Sequence, residues 1–286
     1  MGQKNLKRFL HWAQVVVCLS LIIMSRVSYC MTVEKGKLYF VGVGPAGPDL
    51  STLQPIDVIK QADVVFTPNF IRKAFKEHLE GKDVREAWPD SIYKVGNKVY
   101  TEFQTQDELQ ALGKSIMGHA QDLAGQFKKL MAQGHSVALL VNGDPCLFSD
   151  LRWFKQHFKN EEFEVIPGLS SFNAGAALFK TDLTQRRVDT VIIFSPTNDA
   201  FSFQSAIPKL AKHQATMVFF MAGNLERLVN ELKKVYDGDT PIALAYFIGY
   251  PEKQKLIKGT LSTILRDTAS ETEKEMVLIF VGNFMK

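Results

Sequence analysis

The chain has 286 residues, of which 46% are apolar and 22% charged, a composition typical of a soluble globular protein with one large or two ordinary domains. The formal net charge of +4 resides in residues 1–30, and the remaining residues are electrically balanced, which argues against nucleic acid as the main partner. The three cysteines, at positions 18, 30 and 146, and the six dispersed histidines predict neither a disulfide framework nor a metal site.

The first thirty residues resemble a targeting segment. Basic residues, among them Lys4 and Arg8, precede an apolar run over about 9–24. We expect residues 1–30 to lie outside the fold as a signal-like or anchoring segment, which predicts an exported or membrane-tethered protein with membrane contact through residues 9–24. The alternative is a cytoplasmic protein whose translation starts at Met31, just before the first predicted strand.

Strands and helices alternate in the first half of the chain. An apolar run over 38–41 predicts a strand that breaks at a turn rich in glycine and proline, and a second strand follows at 64–66. Apolar residues at three- and four-residue spacings predict a long helix over 106–133, ended by Gly134. The remaining predictions for this half are a buried strand at 137–141, a helix at 151–158, a strand at 163–166 and a helix at 173–179.

The pattern restarts after a charged stretch at 180–189. The predicted strands of this half are 190–194, 216–221, 241–247 and 276–281, the predicted helices are 206–212 and 225–236, and a hairpin-like pair is expected near 255–259. Alternating strands and helices in both halves predict an α/β fold with largely parallel sheets. We therefore expect two α/β domains, 37–182 and 186–286.

The turn after the first strand contains the letters of a dinucleotide fingerprint, G-x-G-x-x-G, at Gly42, Gly44 and Gly47. Its context argues against that interpretation. Proline follows the third glycine at position 48, Pro55 stands where the middle of the phosphate-binding helix is expected, and the acidic candidate Asp63 precedes the second strand instead of following it.

Six segments, taken in order, resemble the sequence blocks of the tetrapyrrole methylases. They read VGVGPAGPDLSTL, ADVVF, NGDPCLF, VIPGLSS, MVFFMAGNLERL and PIALAYFIGYPEKQKLIKGTL. Members of this family are S-adenosylmethionine-dependent enzymes that act on uroporphyrinogen, precorrins and cobalt-precorrins. The resemblance implies two α/β domains, a methyl donor held between them, a tetrapyrrole substrate and a homodimer.

The resemblance also implies a set of residues that contact S-adenosylmethionine. They are Pro45, Asn142, Gly143, Asp144, Leu147, Ser170, Ser171, Met221, Ala222 and Gly249. Several of them have an ordinary structural interpretation as well. Taken alone, Met221 is typical of core packing, Ser170 or Ser171 is also typical of a helix cap, and the neighbouring Cys146 is typical of a small buried residue.

The first block departs from the family pattern at one position. Members usually read G-P-G-D-P, whereas this chain has Gly47 in place of the acid that faces the macrocycle. Asp49 is a weak candidate for the missing proton-handling group. The leading prediction is a tetrapyrrole C-methyltransferase. The alternatives are a non-catalytic tetrapyrrole- or S-adenosylmethionine-binding protein that keeps the fold and, less favoured, methylation of RNA or a protein side chain.

Overall fold

Two five-stranded sheets organise the chain. The computed structural model describes residues 32–89, 91–99, 105–184, 189–195, 203–273 and 276–285. Val33–Lys286 form one compact unit. The predicted leader, residues 1–30, and its proposed membrane contact lie outside the described residues. Across the residues described, no helix combines the length and apolar character needed to cross a membrane.

The first sheet is entirely parallel. Its strands are β1 (Leu38–Gly42), β2 (Val64–Thr67), β3 (Asp83–Glu86), β6 (Val137–Val141) and β7 (Phe163–Ile166), in the spatial order β3-β2-β6-β1-β7. A short antiparallel hairpin, β4 (Lys94–Val95) and β5 (Lys98–Val99), follows β3. The central strands β1 and β6 are buried at every position, as expected where helices cover both faces of a parallel sheet. All five carboxyl ends therefore lie along one edge.

Helices connect these strands. They are α1 (Leu53–Gln61), α2 (Asn69–Ala74), α3 (Gln106–Ala132), α4 (Leu151–Phe154) and α5 (Ser171–Phe179). A capping box starts α3, because the Thr105 hydroxyl accepts from the Glu108 amide and the Glu108 carboxylate accepts from the Thr105 amide. Gly134, with φ +81°, follows its end as predicted.

The core of the first half lies between α3 and the sheet. Phe127 of α3 packs edge-on against Phe66 of β2, with ring centroids 4.7 Å apart, and stacks on Phe154 of α4 at 5.7 Å. Phe154 also contacts Trp88, which follows β3, at 5.5 Å. These contacts fix the segments after β3 and β6 relative to each other, and both segments emerge at the carboxyl edge.

The second sheet is mixed. Its strands are β8 (Val191–Phe194), β9 (Thr216–Phe220), β10 (Pro241–Tyr246), β11 (Lys255–Thr260) and β12 (Val277–Val281), in the order β11-β10-β12-β9-β8. Only β8 and β9 pair in parallel; the other three pairings are antiparallel. Its helices are α6 (Phe203–Ala211), α7 (Leu225–Leu232) and α8 (Ile264–Asp267). The buried face of α7 packs into the core on one side of this sheet.

The α/β class is confirmed, with parallel pairing dominant only in the first sheet. The short connection from β10 to β11 makes that pair antiparallel, because a parallel pair needs a longer crossover. The two sheets fall within the predicted ranges 37–182 and 186–286. Their status as separate domains stays a prediction.

Two residues that argued against the dinucleotide interpretation, Pro55 and Asp63, have structural roles here. Pro55 lies in the first turn of α1, where a proline is tolerated because the amide there lacks an intrahelical acceptor. Asp63 accepts from the amide and hydroxyl of Ser136, at 2.7 Å each, and pairs with Lys35. It therefore joins the start of β2 to the start of β6, and it does not stand where the ribose-binding acid of a dinucleotide site is expected.

Candidate functional site

Two turns at the carboxyl edge of the first sheet are joined by main-chain hydrogen bonds. The Gly143 amide, after β6, donates to the Gly44 carbonyl, after β1, at 2.9 Å, and the Gly44 amide donates back to the Gly143 carbonyl at 3.3 Å. Both glycines have positive φ, +79° for Gly44 and +74° for Gly143, a conformation that residues with a Cβ rarely adopt. The two turns are therefore paired through buried glycine backbone at the ends of β1 and β6.

The turn after β7 meets the same point. A Cβ added at Gly168 would lie 2.2 Å from the Gly143 carbonyl oxygen, and one added at Gly42 would lie 2.5 Å from Pro145 Cδ and 2.6 Å from the Gly168 amide nitrogen. Three loops therefore approach one another at positions where only glycine fits. This arrangement places Pro45, Asn142, Gly143 and Ser170 together.

The second sheet reaches this cluster through the turn after β10. Gly249, with φ +86°, lies against the first turn, because a Cβ there would meet Leu50 Cδ1 at 2.6 Å and the Pro45 carbonyl oxygen at 3.1 Å. The Gly249 amide donates to Gln254 Oε1 at 2.9 Å, which holds the turn in shape. Gly249 and Pro45 are thus neighbours, as a site shared by the two halves requires.

The turn after β6 is held by its own aspartate. Asp144 Oδ1 accepts from the Cys146 amide at 2.9 Å, and the Leu147 amide donates to the Asp144 carbonyl at 3.2 Å. This turn directs Cys146 outward, so the expectation of a buried cysteine is wrong. Desolvation and the nearby Asp144 carboxylate raise the pKa of the Cys146 thiol.

Two buried oxygens next to the glycine cluster have no hydrogen-bond partner among the described residues. They are Asn142 Oδ1, beside Gly143, and Ser51 Oγ, in the segment that packs against Gly44. A buried polar atom without a partner costs about 1–3 kcal/mol, so both oxygens are suited to a bound polar group.

Met221 and Ala222 follow β9 on the second sheet. Phe220 contacts Phe148 from the turn after β6, with ring centroids 5.2 Å apart, so this strand end lies beside that turn. Met221 is half-buried with φ +49°, and Ala222 is buried in the core of the second half. Phe220, next to Met221 in the chain, therefore lies beside the turn that carries Asp144 and Leu147.

The expected serine cap of α5 is absent. Ser170 occupies the N-cap position, but its side chain makes no cap hydrogen bond, and its carbonyl instead accepts from the Asn173 and Ala174 amides. Ser171 is the first helical residue. The helix packs on the second sheet, because a Cβ at Gly175 would lie 2.8 Å from the Phe280 ring. Ser170 is buried, and its side chain is not used to cap the helix.

Sequence reasoning missed a carboxyl group at this edge. Asp150, just before α4, is half-buried, and the Tyr93 hydroxyl donates to its Oδ1 at 3.4 Å. Burial raises the pKa of Asp150 to about 6, although the bond from Tyr93 and the charge of Arg152 act to lower it. No sequence motif marks Asp150, since its environment is created by the distant segment after β3. Asp49, by contrast, is exposed in the short helical turn Pro48–Leu50.

The described residues contain no group of three or more histidine, cysteine, aspartate or glutamate side chains that could hold a metal ion. The site is instead a set of glycine-rich turns at the ends of strands from two sheets. Such strand ends are where open α/β sheets bind ligands. The fold and site together define an α/β ligand-binding protein whose site is shared by two sheets.

Comparison with known proteins specifies the class further. A family model of the tetrapyrrole (corrin/porphyrin) methylases matches residues 37–265, so the chain belongs to that family. It is 28% identical to a cobalt-precorrin-4 C(11)-methyltransferase of Methanocaldococcus jannaschii, over 87% of this chain and 88% of the relative. It is also 29% identical to a uroporphyrinogen-III C-methyltransferase of the same organism, over 86% of this chain and 96% of the relative.

Solved structures share the fold. A cobalt precorrin-4 methyltransferase superposes with a TM-score of 0.68 at 21% identity, covering 88% of this chain and 96% of the other. A uroporphyrin-III C-methyltransferase from Thermus thermophilus, complexed with S-adenosylhomocysteine, gives 0.59 at 19% identity, covering 87% and 93%.

Proposed function

We propose that the protein transfers a methyl group from S-adenosylmethionine to a ring carbon of a tetrapyrrole of the uroporphyrinogen or precorrin type. The observation that carries this proposal is the convergence of four glycine turns, at Gly44, Gly143, Gly168 and Gly249, in a chain that belongs to the tetrapyrrole methylases. The curated relatives named above are C-methyltransferases that act on such macrocycles.

The residues present fit an amino-acid-like donor. The glycine backbone lets a ligand approach closely, and Asp144 offers a carboxylate to an ammonium group. Asn142 Oδ1 can accept a hydrogen bond from the ligand, and the Ser51 hydroxyl can accept or donate one. Pro45, Leu147, Ser170, Ser171, Met221, Ala222 and Gly249 complete the predicted donor contacts.

When bound, S-adenosylmethionine supplies an electrophilic methyl group on a positively charged sulfur. The chain's own contribution is then mainly to orient the reactants and exclude water. The contact between Phe148 and Phe220 closes the site on one side, and Gly249 against Pro45 closes it on another. A base must also accept the proton that the methylated macrocycle loses.

The alternative of a binding protein without activity rests on Gly47, where the family pattern has an acid. Methylation of RNA is less favoured, because the chain outside residues 1–30 has balanced charge and offers no net attraction for phosphates. A protein side chain as the acceptor has no specific support in the site.

Calorimetry of the full-length protein with S-adenosylmethionine and S-adenosylhomocysteine tests the donor site. Incubation with methyl-labelled donor and uroporphyrinogen III or a precorrin then tests transfer. We expect binding and label in the macrocycle. Absence of binding at millimolar donor contradicts the enzyme, whereas donor binding without transfer to any macrocycle supports the binding protein.

Two further proposals concern assembly and location. We propose a homodimer, tested by light scattering of the purified protein, with a monomer mass as the contradicting result.

We also propose tethering or export through residues 9–24, tested by fractionating cells that carry a tagged copy; the alternative of translation from Met31 predicts recovery in the cytoplasmic fraction.

A further inference from the structure

The turn that lacks the acid has room for one. Gly47 has extended backbone, with φ −129° and ψ −178°, which any residue adopts. A Cβ added there would have no atom within 4 Å. Neither the backbone conformation nor the packing therefore requires glycine at this position. Because the turn carries no acid there, a proton acceptor for the site has to come from another residue.

Asp150 is placed to supply that group. It ends the loop that begins at Asn142 and carries Asp144, and Phe148 of the same loop contacts the second sheet. Although Asp150 occupies the N-cap position of α4, its side chain makes no cap bond there. Its Oδ1 instead accepts from the Tyr93 hydroxyl at 3.4 Å.

The surroundings of Asp150 come from the end of a neighbouring strand. Trp88 and Tyr93 lie in the connection that follows β3, and the carboxyl ends of β3 and β6 share one edge because the sheet is parallel. Trp88 is 3% exposed and lies beside the Asp150 carboxyl group, where its indole, like the Tyr93 hydroxyl, acts to lower the pKa of that group. Tyr93 and Trp88, both from the end of another strand, therefore help to place the Asp150 carboxyl group.

The titratable and charged groups that act on Asp150 are Tyr93, from the connection after β3, and Arg152, from α4. Both favour the ionised carboxylate, but desolvation outweighs them and keeps its pKa near 6. A carboxylate with that pKa is largely ionised at neutral pH and is a stronger base than an ordinary aspartate.

We propose that Asp150, positioned by Tyr93, is the carboxylate that accepts the proton released by the macrocycle and so replaces the acid missing at Gly47. The inference rests on the proposed methyl transfer. In the full reaction the sulfur–methyl bond breaks with its electron pair left on sulfur, and a carbon–carbon bond forms from electrons of the macrocycle. The macrocycle then loses a proton to Asp150, which releases it to solvent.

The central test compares Asp150→Asn with the exposed helix residue Asp122→Asn in the full-length protein. Asp150→Asn keeps an acceptor for Tyr93, so we expect normal folding, unchanged donor affinity and a kcat reduced by about 10²-fold, as for loss of a general base. Asp122→Asn should retain wild-type kcat. The wild-type kcat should rise with pH around 6, and this rise should be absent in Asp150→Asn.

Two additional variants separate a chemical role from a structural one. Tyr93→Phe should move the rise in kcat to higher pH, because the Tyr93 bond lowers the pKa of Asp150. Gly47→Asp in the Asp150→Asn background should restore kcat by about tenfold or more, since the turn has space for the side chain. A merely structural Asp150 predicts neither the shift nor the rescue.

If the protein methylates none of the macrocycles tried, a binding measurement still tests the inference. Uroporphyrin III carries eight carboxylates, so removal of a nearby negative charge should tighten its binding several-fold at pH 8 and leave it unchanged at pH 5. Fluorescence quenching of wild type, Asp150→Asn and Asp122→Asn measures this.

The inference is overturned if Asp150→Asn keeps kcat and its pH profile, or if Asp49→Asn removes the rise in kcat instead. If the wild type methylates no macrocycle, the inference is overturned when Asp150→Asn and the wild type bind uroporphyrin III equally well at pH 8 as well as at pH 5. Failure of the proposed function is recognised separately, by the absence of donor binding or of methyl transfer in the wild-type protein.

Discussion

Gly168 lies directly against the carbonyl oxygen of Gly143, so close that an added Cβ would stand 2.2 Å from that oxygen. The two residues belong to different loops, after β7 and after β6. Their contact joins the two turns through main-chain atoms, and its disruption should affect folding and donor binding together.

Gly168→Ala should therefore destabilise the protein by about 2 kcal/mol or more, because the backbone of one loop must move. Donor affinity should fall as well. The matched control is Gly118→Ala on the exposed face of α3, where a Cβ meets nothing within 4 Å and alanine should stabilise the helix by about 0.5–1 kcal/mol. Urea unfolding and donor calorimetry measure both effects; equal behaviour of the two variants contradicts the packing described.

Asp144→Ala should weaken donor binding and leave the protein folded. Its carboxylate holds the turn through the Cys146 amide and is the predicted partner of the donor's ammonium group. Asp144→Asn keeps an acceptor for that amide but removes the charge, so loss of affinity in both variants indicates a charge contact, whereas loss in the alanine variant alone indicates turn geometry. Equal affinity in all three proteins shows that Asp144 is not a donor contact.

The aromatic contact between Phe148 and Phe220 joins the turn after β6 to the second sheet, with centroids 5.2 Å apart. A double-mutant cycle with alanine at both positions should give a coupling of about 0.5–1.5 kcal/mol. Phe70→Ala, on an exposed ring of α2, should be nearly neutral as the control. Additive effects of the two substitutions indicate that the rings do not contact in solution.

Asp150→Asn should change the pH dependence of stability. The pKa of Asp150 is raised in the folded protein to about 6, so folding favours the protonated form. The stability that this group contributes is complete below its unfolded pKa and is lost as pH rises through 6. The variant should match wild type near pH 4 and be about 1–2 kcal/mol more stable at pH 8. Chemical unfolding at the two pH values measures this, and a constant difference contradicts the raised pKa.

Much of the fold was predictable from local signals. Apolar runs define β1 and β6, the three- and four-residue spacing defines α3, and Gly134 marks its end. The edge strand β3 was not predicted, because its side chains are charged and largely exposed and carry no hydrophobic periodicity. The antiparallel pairings of the second sheet depend on how strands are connected, which the strand pattern alone does not reveal.

The site was predictable only in part, for a physical reason. Glycine turns after strands are visible in a sequence, and the structure brings the predicted turns at Pro45, Gly143, Ser170 and Gly249 together. Their role in donor binding stays a prediction. Asp150 carries no local mark, because Trp88 and Tyr93, the side chains that interact with its carboxyl group, lie about sixty residues earlier in the chain.

The contact of Gly249 with Leu50 and Pro45 has a mechanical consequence. Because Gly249 has no side chain, the turn after β10 lies close against Leu50 Cδ1, Ala46 Cβ and the Pro45 carbonyl oxygen in the turn after β1. An outward displacement of either turn would separate these atoms and widen the space between the two sheets at this point. The width of the entrance is therefore set by how the two sheets pack, so substitutions deep in the second core should alter access to the site without touching it.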